Sequence, residues 1–404
     1  MDIQDLSFSY PLDLIATESK KNFRILFTKL NCDKSDTTEA YTTEIGTETD
    51  TETYTEADTT DCKEINKTEL LNKFKQGDVL VINNTKVIKR RIFSTDKNKL
   101  EILFINKIQD FNLNDIQDSS LNDIQNSKQN LSKKTTETWE VLCPSKKIKI
   151  GEAVHLPGDI QLKLIKKSIP QVVEVSQNLN LEYFKKYGQM PLPPYIQKAR
   201  DKRENIQTDE VNYQTAWAKY YGSCAAPTAS LHFTKSDLDY LKQKRKVKIV
   251  ELTLHVGLGT FLPIKVKNLA EHKMHKEYLH IPSSSLKDIV CAKNNNCKIW
   301  ALGTTVTRAL ETWALKNTKN NSNKLIDEKN IVKDFITESE LFITPGFNFK
   351  VIDVLMTNFH QPESTLLAML MAFATKYKVL KVYEWAIKKK FRLFSYGDLS
   401  IWEK

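Results

Sequence analysis

Three short polar segments, each following an apolar run, hold the side chains best suited to chemistry. They are His255-Val256-Gly257-Leu258-Gly259-Thr260, Gly303-Thr304-Thr305 with Arg308 and Glu311 further on, and Asn358-Phe359-His360-Gln361-Pro362-Glu363-Ser364-Thr365. The first offers a G-x-G, but Leu262 and Pro263 stand where a dinucleotide loop needs glycine, and Phe261 breaks the G-x-G-x-G of a methyltransferase. What remains is a turn whose bare backbone can approach a ligand. In the second, a Thr cap ahead of free helix amides suits an anion or a ribose. In the third, Pro362 occupies the first position of a predicted helix. Ligands of open α/β sheets bind at the carboxyl ends of strands, so three such turns together outweigh any one of them.

Four further segments carry reactive or stacking groups. "GSCAAPTASLHFT" (222–234) concentrates small residues ahead of His232 and invites close backbone approach. "EHKMH" (271–275) spaces His272 and His275 three apart, one face of a predicted helix and half of a metal site, with no H-E-x-x-H or cysteine cluster to complete it. "PLPPY" (191–195) reads as a rigid linker, or as a polyproline ligand. "FRLFSYGD" (391–398) sets aromatics around Arg392 and a glycine turn, to stack on bases or to seal a core.

The elements that must position these groups follow two rhythms. Residues 79–104, 139–143, 151–156 and 160–167 read as short strands without helical period, which predicts a small β-barrel. From 235 onward helices alternate with strands: helix 235–246, strand 247–256, helix 283–295, strand 297–303, helix 307–317, strand 340–344, helix 362–377. That alternation predicts an α/β main domain with a largely parallel sheet and flanking helices, interrupted by the inserted barrel. The expected division is 1–86 with 180–404 for the main domain and 87–179 for the insert. Residues 37–60, with eleven threonines in 24 positions, and 106–137, with the echo LNDIQDSS/LNDIQNSK, read as a disordered Thr/Glu-rich insert and a low-complexity loop.

Composition narrows the class. Residues 1–76 carry 16 acids against 9 bases, while the remainder of this chain, net +10 overall, is strongly basic, as expected of a nucleic-acid binder or of a lysine-rich surface. Six scattered cysteines without C-x-x-C fit reduced thiols, not a disulfide framework or a zinc ribbon. The acids of MDIQDLSFSYPLDLIA do not make a signal peptide, and no apolar run is long enough for a membrane span, so a cytoplasmic location is expected.

In order along the chain, GDVLVINNTKVI, PLPPYI, YQT, GSCAAPTASLHFT, LTLHVGLGTF, EHKMH, GTTVTRALE, FITPGFNFKVIDVLMTNFHQPESTLL and FRLFSYGD closely resemble the S-adenosylmethionine:tRNA ribosyltransferase-isomerase family of queuosine biosynthesis. The resemblance covers roughly 77–404 apart from 106–137, with an echo in FSYPLDLIA. It departs at Cys224, Ser230, Leu262 and Gln361, where Val, Gly, Arg and Leu are expected, and in a reduced basic run at 20–24. It implies an α/β domain with an inserted barrel, and transfer with isomerisation of the ribosyl part of S-adenosylmethionine. The acceptor is 7-aminomethyl-7-deazaguanine at the wobble position of a tRNA with a GUN-type anticodon. Epoxyqueuosine, adenine and methionine result.

No metal and no cofactor beyond this co-substrate is implied, and a monomer is expected. A base that takes the proton beside the sulfonium and an acid that helps adenine leave are needed, whereas the substrate amine is itself the nucleophile. His232, His255, His275 and His360 are the candidates for proton transfer, with His232 foremost. Gly257, Gly259, Thr260, Thr304, Thr305, Arg308, Asn358, Ser364 and Thr365 are the candidates for binding the co-substrate. Tyr195, Thr228, Arg392, Tyr396 and Asp398 are the candidates for contacting RNA, whose loop base can be splayed out and stacked. A methyltransferase or a non-catalytic tRNA-binding relative are the rival readings.

Overall fold

The computed structural model describes residues 1–20, 22–30, 62–108, 136–202, 205–257, 259, 264, 266–317 and 328–404. The 37–60 insert, nearly all of the 106–137 loop, Thr260 and Leu262 therefore lie outside the described residues. Before the insert come strands β1 (Ile25–Lys29), β2 (Cys62–Ile65), β3 (Val79–Asn83) and β4 (Thr85–Val87). The insert holds β5 (Arg91–Phe93), β6 (Glu101–Lys107), β7 (Glu137–Leu142), β8 (Ala153–Leu156), β9 (Ile160–Lys166) and β10 (Gln171–Val175). After it follow β11 (Tyr220–Ser223), β12 (Lys248–Leu254), β13 (Glu277–Ile281), β14 (Ile299–Leu302), β15 (Phe335–Ser339), β16 (Val354–Asn358) and β17 (Leu399–Glu403).

The main sheet has nine strands in the order β15-β13-β12-β3-β14-β16-β17-β1-β2. Its middle is parallel, β12 to β3 to β14 to β16. Every residue of β3, β14 and β16 is buried, as a parallel sheet covered on both faces requires. Alternate residues of β3 enter opposite cores, Val79 and Val81 on one side, Leu80 and Ile82 on the other. The sheet is not largely parallel, however: β13, β15, β17 and β2 each enter through an antiparallel pairing, and only β1 runs parallel to β17. Strands at the rims have a wet face (Cys62–Ile65 is buried only at Ile65), and antiparallel pairing tolerates that where parallel pairing does not.

The insert forms an antiparallel sheet in the order β5-β6-β7-β10-β9-β8, with inward residues alternating along β8, β9 and β10. Its two edges meet just beyond β5, where Thr95 N donates to His155 O at 2.8 Å and His155 N to Asp96 Oδ2 at 3.3 Å. The sheet is thereby nearly closed, and its core includes Phe104, Trp139 and Phe184. The chain returns at Gly188, where a β-carbon would lie 1.7 Å from Lys89 O, so only glycine fits this close crossing. Gln189 then pairs with Arg91.

Two local expectations fail. Residues 340–344 are not a strand: the strand lies just upstream at Phe335–Ser339, where β13 supplies a partner in register from Glu277 to Ile281. The predicted helix 362–377 is two helices, Thr365–Ala374 and Lys376–Lys388, broken at Thr375 with φ 63°.

Candidate active site

The turns after β12, β14 and β16 meet at one cavity of about 530 Å³. Its wall includes Val256 and Gly259, Gly303 to Thr305 with Arg308, and Thr357 to Leu366. The small-residue segment supplies Ala225 to Ala229, and the far side is closed by Pro193, Pro194, Tyr195, Phe394 and Ser395. Parallel strands end here together, so their helices begin here together. Gly303 turns with φ 99° into helix Thr304–Asn317, and Ser364 caps Thr365–Ala374 by accepting from Leu367 N at 3.2 Å. Two helix N-termini thus face the same space, a positive field suited to a carboxylate.

The only buried ion pair in this wall among the described residues joins Arg308 to Glu277. Glu277 also accepts from Gly257 N at 3.1 Å, which fastens the G-x-G turn to β13. Arg308 Nε has no hydrogen-bond partner. Glu277 escaped the reading of the sequence. Its signal was a carboxylate in step with Leu279 and Ile281 on the buried face of β13.

Asn358 is held by a relay. Thr228 Oγ1 donates to Asn358 Oδ1 at 2.8 Å, and Asn358 Nδ2 lies 3.3 Å from His232 Nε2. His232 is not in the cavity wall; it stands behind Asn358 with its ring 4.2 Å from that of Phe23. Burial, aided by the charges of Arg392 and Lys67, draws its pKa down to about 3. His360 does line the cavity, with Nε2 2.9 Å from Thr357 Oγ1, and burial draws it down to about 3. His255 lies outside the wall, 2.7 Å through Nδ1 from Thr85 Oγ1, lowered to about 4 by burial and by Arg90. At neutral pH these three imidazoles are neutral, holding no proton to give as a cation, and the burial that keeps them so also weakens them as bases.

His272 and His275 do not share a helical face: the 3-10 turn ends at Glu271, and the chain runs on extended to β13. The chain leaves the turn at His272 with extended backbone, φ −73° and ψ 125°, and the His272 ring packs on Phe342 at 5.2 Å, while His275 stands behind Gly259. No cluster of three or more metal-ligating groups occurs among the described residues.

The residues expected to touch RNA divide. Tyr195 and Thr228 line the cavity, the tyrosine hydroxyl accepting from Ser395 N at 3.0 Å. Tyr396 is 2 % exposed, and its hydroxyl donates to Asp209 Oδ1 at 3.1 Å, so its ring faces the core and not a base. Asp398 is buried and accepts from Arg24 N and Arg392 N, and Arg392 Nη2 bonds it at 3.0 Å. Asp209 and Asp398 thus hold the C-terminal loop, whose aromatic rings are buried in the core. PLPPY is a connection built into the wall, with Pro194 opening the helix Pro194–Arg200. Of the co-substrate candidates, Gly259, Thr304, Thr305, Arg308, Asn358, Ser364 and Thr365 are brought together at the cavity, and Gly257 sits behind it on Glu277.

Residues 53–401 match the family model described as queuosine biosynthesis protein. A protein of Thermodesulfovibrio yellowstonii named S-adenosylmethionine:tRNA ribosyltransferase-isomerase is 39% identical over 336 residues, 82% of this chain and 86% of its own. One of the same name from Rickettsia bellii is 36% identical with the same coverage. A crystal structure of S-adenosylmethionine tRNA ribosyltransferase from Thermotoga maritima covers 98% of this chain and 99% of its own at 22% identity, with a TM-score of 0.47.

Proposed function

The chain belongs to the queuosine biosynthesis family of S-adenosylmethionine:tRNA ribosyltransferase-isomerases, and from that premise we propose how its cavity serves the reaction. The observation that carries the reading is the convergence of three strand-end turns and the small-residue segment on one cavity. A space of about 530 Å³ suits one drug-sized ligand. S-adenosylmethionine fills it with its carboxylate toward the helix starts at Thr304 and Thr365 and toward Arg308. Glu277, opposite Arg308, offsets the positive charge of the sulfonium and amine.

His360, the one of the four histidines that lines the cavity, is the group placed to accept the proton drawn from the carbon beside sulfur. His232 acts through Asn358, as a positioning group. His255 and His275 support the turn that carries Gly257 and Gly259. The amine of 7-aminomethyl-7-deazaguanine attacks the ribosyl carbon, the bond to adenine breaks, and methionine leaves as the ring is rebuilt into epoxyqueuosine. Tyr195 and Thr228 receive the extruded base, which comes from a GUN-type anticodon. The protein works as a cytoplasmic monomer, divided into 1–86 with 180–404 and an inserted 87–179. No helix among the described residues is long and apolar enough to cross a membrane.

The test is incubation with S-adenosylmethionine and precursor-bearing tRNA, followed by nucleoside analysis. Adenine, methionine and epoxyqueuosine in equal amounts are expected. A methyl adduct with S-adenosylhomocysteine, or tRNA binding without turnover, would overturn the reading.

A further inference from the structure

Outside the cavity, Tyr221 is an exposed aromatic residue with lysines at its ring. Tyr221, on β11, is 38 % exposed, and it stands in register opposite Lys86 of β4. Lys86 Nζ lies 4.5 Å from the Tyr221 ring centroid, and Lys185 Nζ, from the helix Leu181–Tyr187 that follows the barrel, lies 5.7 Å from it. Three elements, one of them the helix whose Phe184 joins the barrel core, thus bring two ammonium groups to one tyrosine. Lys185 also pairs with the exposed Glu182.

The strand that bears Tyr221 is tied to the cavity wall by hydrogen bonds. Ser223 Oγ accepts from Val256 N at 2.9 Å and donates to Ala225 O at 2.7 Å, and Cys224 N donates to Val256 O at 2.8 Å. Gly222 packs on the face of His255 so closely that a β-carbon would lie 2.5 Å from the ring. Tyr221 is four residues before Ala225 of the wall, so the two α-carbons are at most about 14 Å apart. That bound keeps Tyr221 close to a nucleotide held at the cavity.

We propose that Tyr221, with Lys86 and Lys185, is a stacking platform for an unpaired tRNA loop base adjacent to the base being modified. The proposal rests on tRNA being the substrate, as read above. An ammonium over an exposed ring is held weakly, so both lysines can exchange the ring for phosphate oxygens as a base takes the ring face. Stacking on an aromatic face tolerates any base, and a protein that selects its target by the modified nucleotide needs such tolerance beside it. Tyr220, the next residue, has its sequence neighbour Lys219 over its ring, at 4.9 Å, in place of a lysine from another element.

The test is binding of precursor tRNA to the full chain, with Tyr221→Ala, Tyr221→Phe, Tyr220→Ala and the pair Lys86→Ala/Lys185→Ala. Y221A weakens binding at least about fivefold, and Y221F stays within about twofold because the ring is kept. The lysine pair lowers the slope of log affinity against log salt by about 1.5. An abasic nucleotide beside the modified position costs the wild type the same factor as Y221A and costs Y221A nothing further. Unchanged affinity in Y221A, a loss in Y220A equal to or greater than that in Y221A, or additive losses in the abasic cycle would overturn the platform. Adenine release by the wild type on intact tRNA is measured alongside. Its absence would sink the activity, and the binding cycle would still decide the platform.

Discussion

Arg200 and Arg308 each face a carboxylate with little exposure, 8 % and 7 % of their side chains, yet their surroundings differ. Arg200 grips Asp209 with both terminal nitrogens, at 2.7 and 2.9 Å, and its Nε donates to Thr17 O at 3.0 Å. Asp209 is filled in turn by Ile206 N and the hydroxyl of Tyr396. Arg308 meets Glu277 through one nitrogen and leaves Nε without a partner. A guanidinium has five donors in a fixed fork, and a buried donor left empty is costly unless something comes to fill it. The first pair is therefore a strut joining the N-terminal segment, the return from the barrel and the C-terminal loop. The second leaves one buried donor unfilled on a residue that lines the cavity.

The largest effect should come from breaking the filled pair. Asp209→Ala strands a buried guanidinium and a buried phenol, and should cost about 3–5 kcal/mol of stability. Denaturant unfolding checks it. A midpoint near that of the wild type would mean that the pair is not a strut, and the contrast with Arg308 would collapse.

Next in size is the open pair. Arg308→Lys keeps the charge beside Glu277 and loses the fork, so the fold should survive with its unfolding midpoint unchanged. The apparent KM for S-adenosylmethionine should rise about 10- to 100-fold, the worth of a lost charged hydrogen bond. Steady-state adenine release at saturating tRNA measures it. An unchanged KM would return Arg308 to the same structural class as Arg200.

The two pairs were not equally legible in the sequence. Arg308 could be flagged because it lies three residues beyond a Gly-Thr-Thr turn at a strand end, and the three turns were visible as polar breaks after apolar runs. The alternation of helices and strands after 235 and the short strands of the insert were legible for the same reason: period carries secondary structure. What joins distant segments carries no period. Glu277, 31 residues from Arg308, and Asp209, 187 residues from Tyr396, are found only when the chain is folded. Tyr396 and Asp398 misled for a related reason, since an aromatic-rich loop looks the same whether its rings face solvent or core. The antiparallel rims of the main sheet were illegible because strand direction depends on connection, not on residue type.

The smallest effect concerns His360, which shares the cavity wall with Arg308 and is held neutral by burial, its pKa drawn from 6.5 to about 3. An imidazole with a depressed pKa binds its proton more readily in the unfolded chain. Between pH 6.5 and about 3 the unfolded state therefore takes up protons that the native state refuses. Stability must fall as pH is lowered through that window, by about 1.4 kcal/mol per pH unit for one such group. His232 and His255 are lowered in the same direction and add to the wild-type slope. His360→Gln keeps a polar group within reach of Thr357 but cannot be protonated, so one share of the slope disappears. Comparing denaturant midpoints at pH 7 and pH 5, the wild type should lose about 2 kcal/mol more than the variant. Equal losses would mean that His360 is free to titrate in the native state. It would then be available as a proton donor as well as an acceptor, unlike the empty donor of Arg308, whose charge does not change over this range.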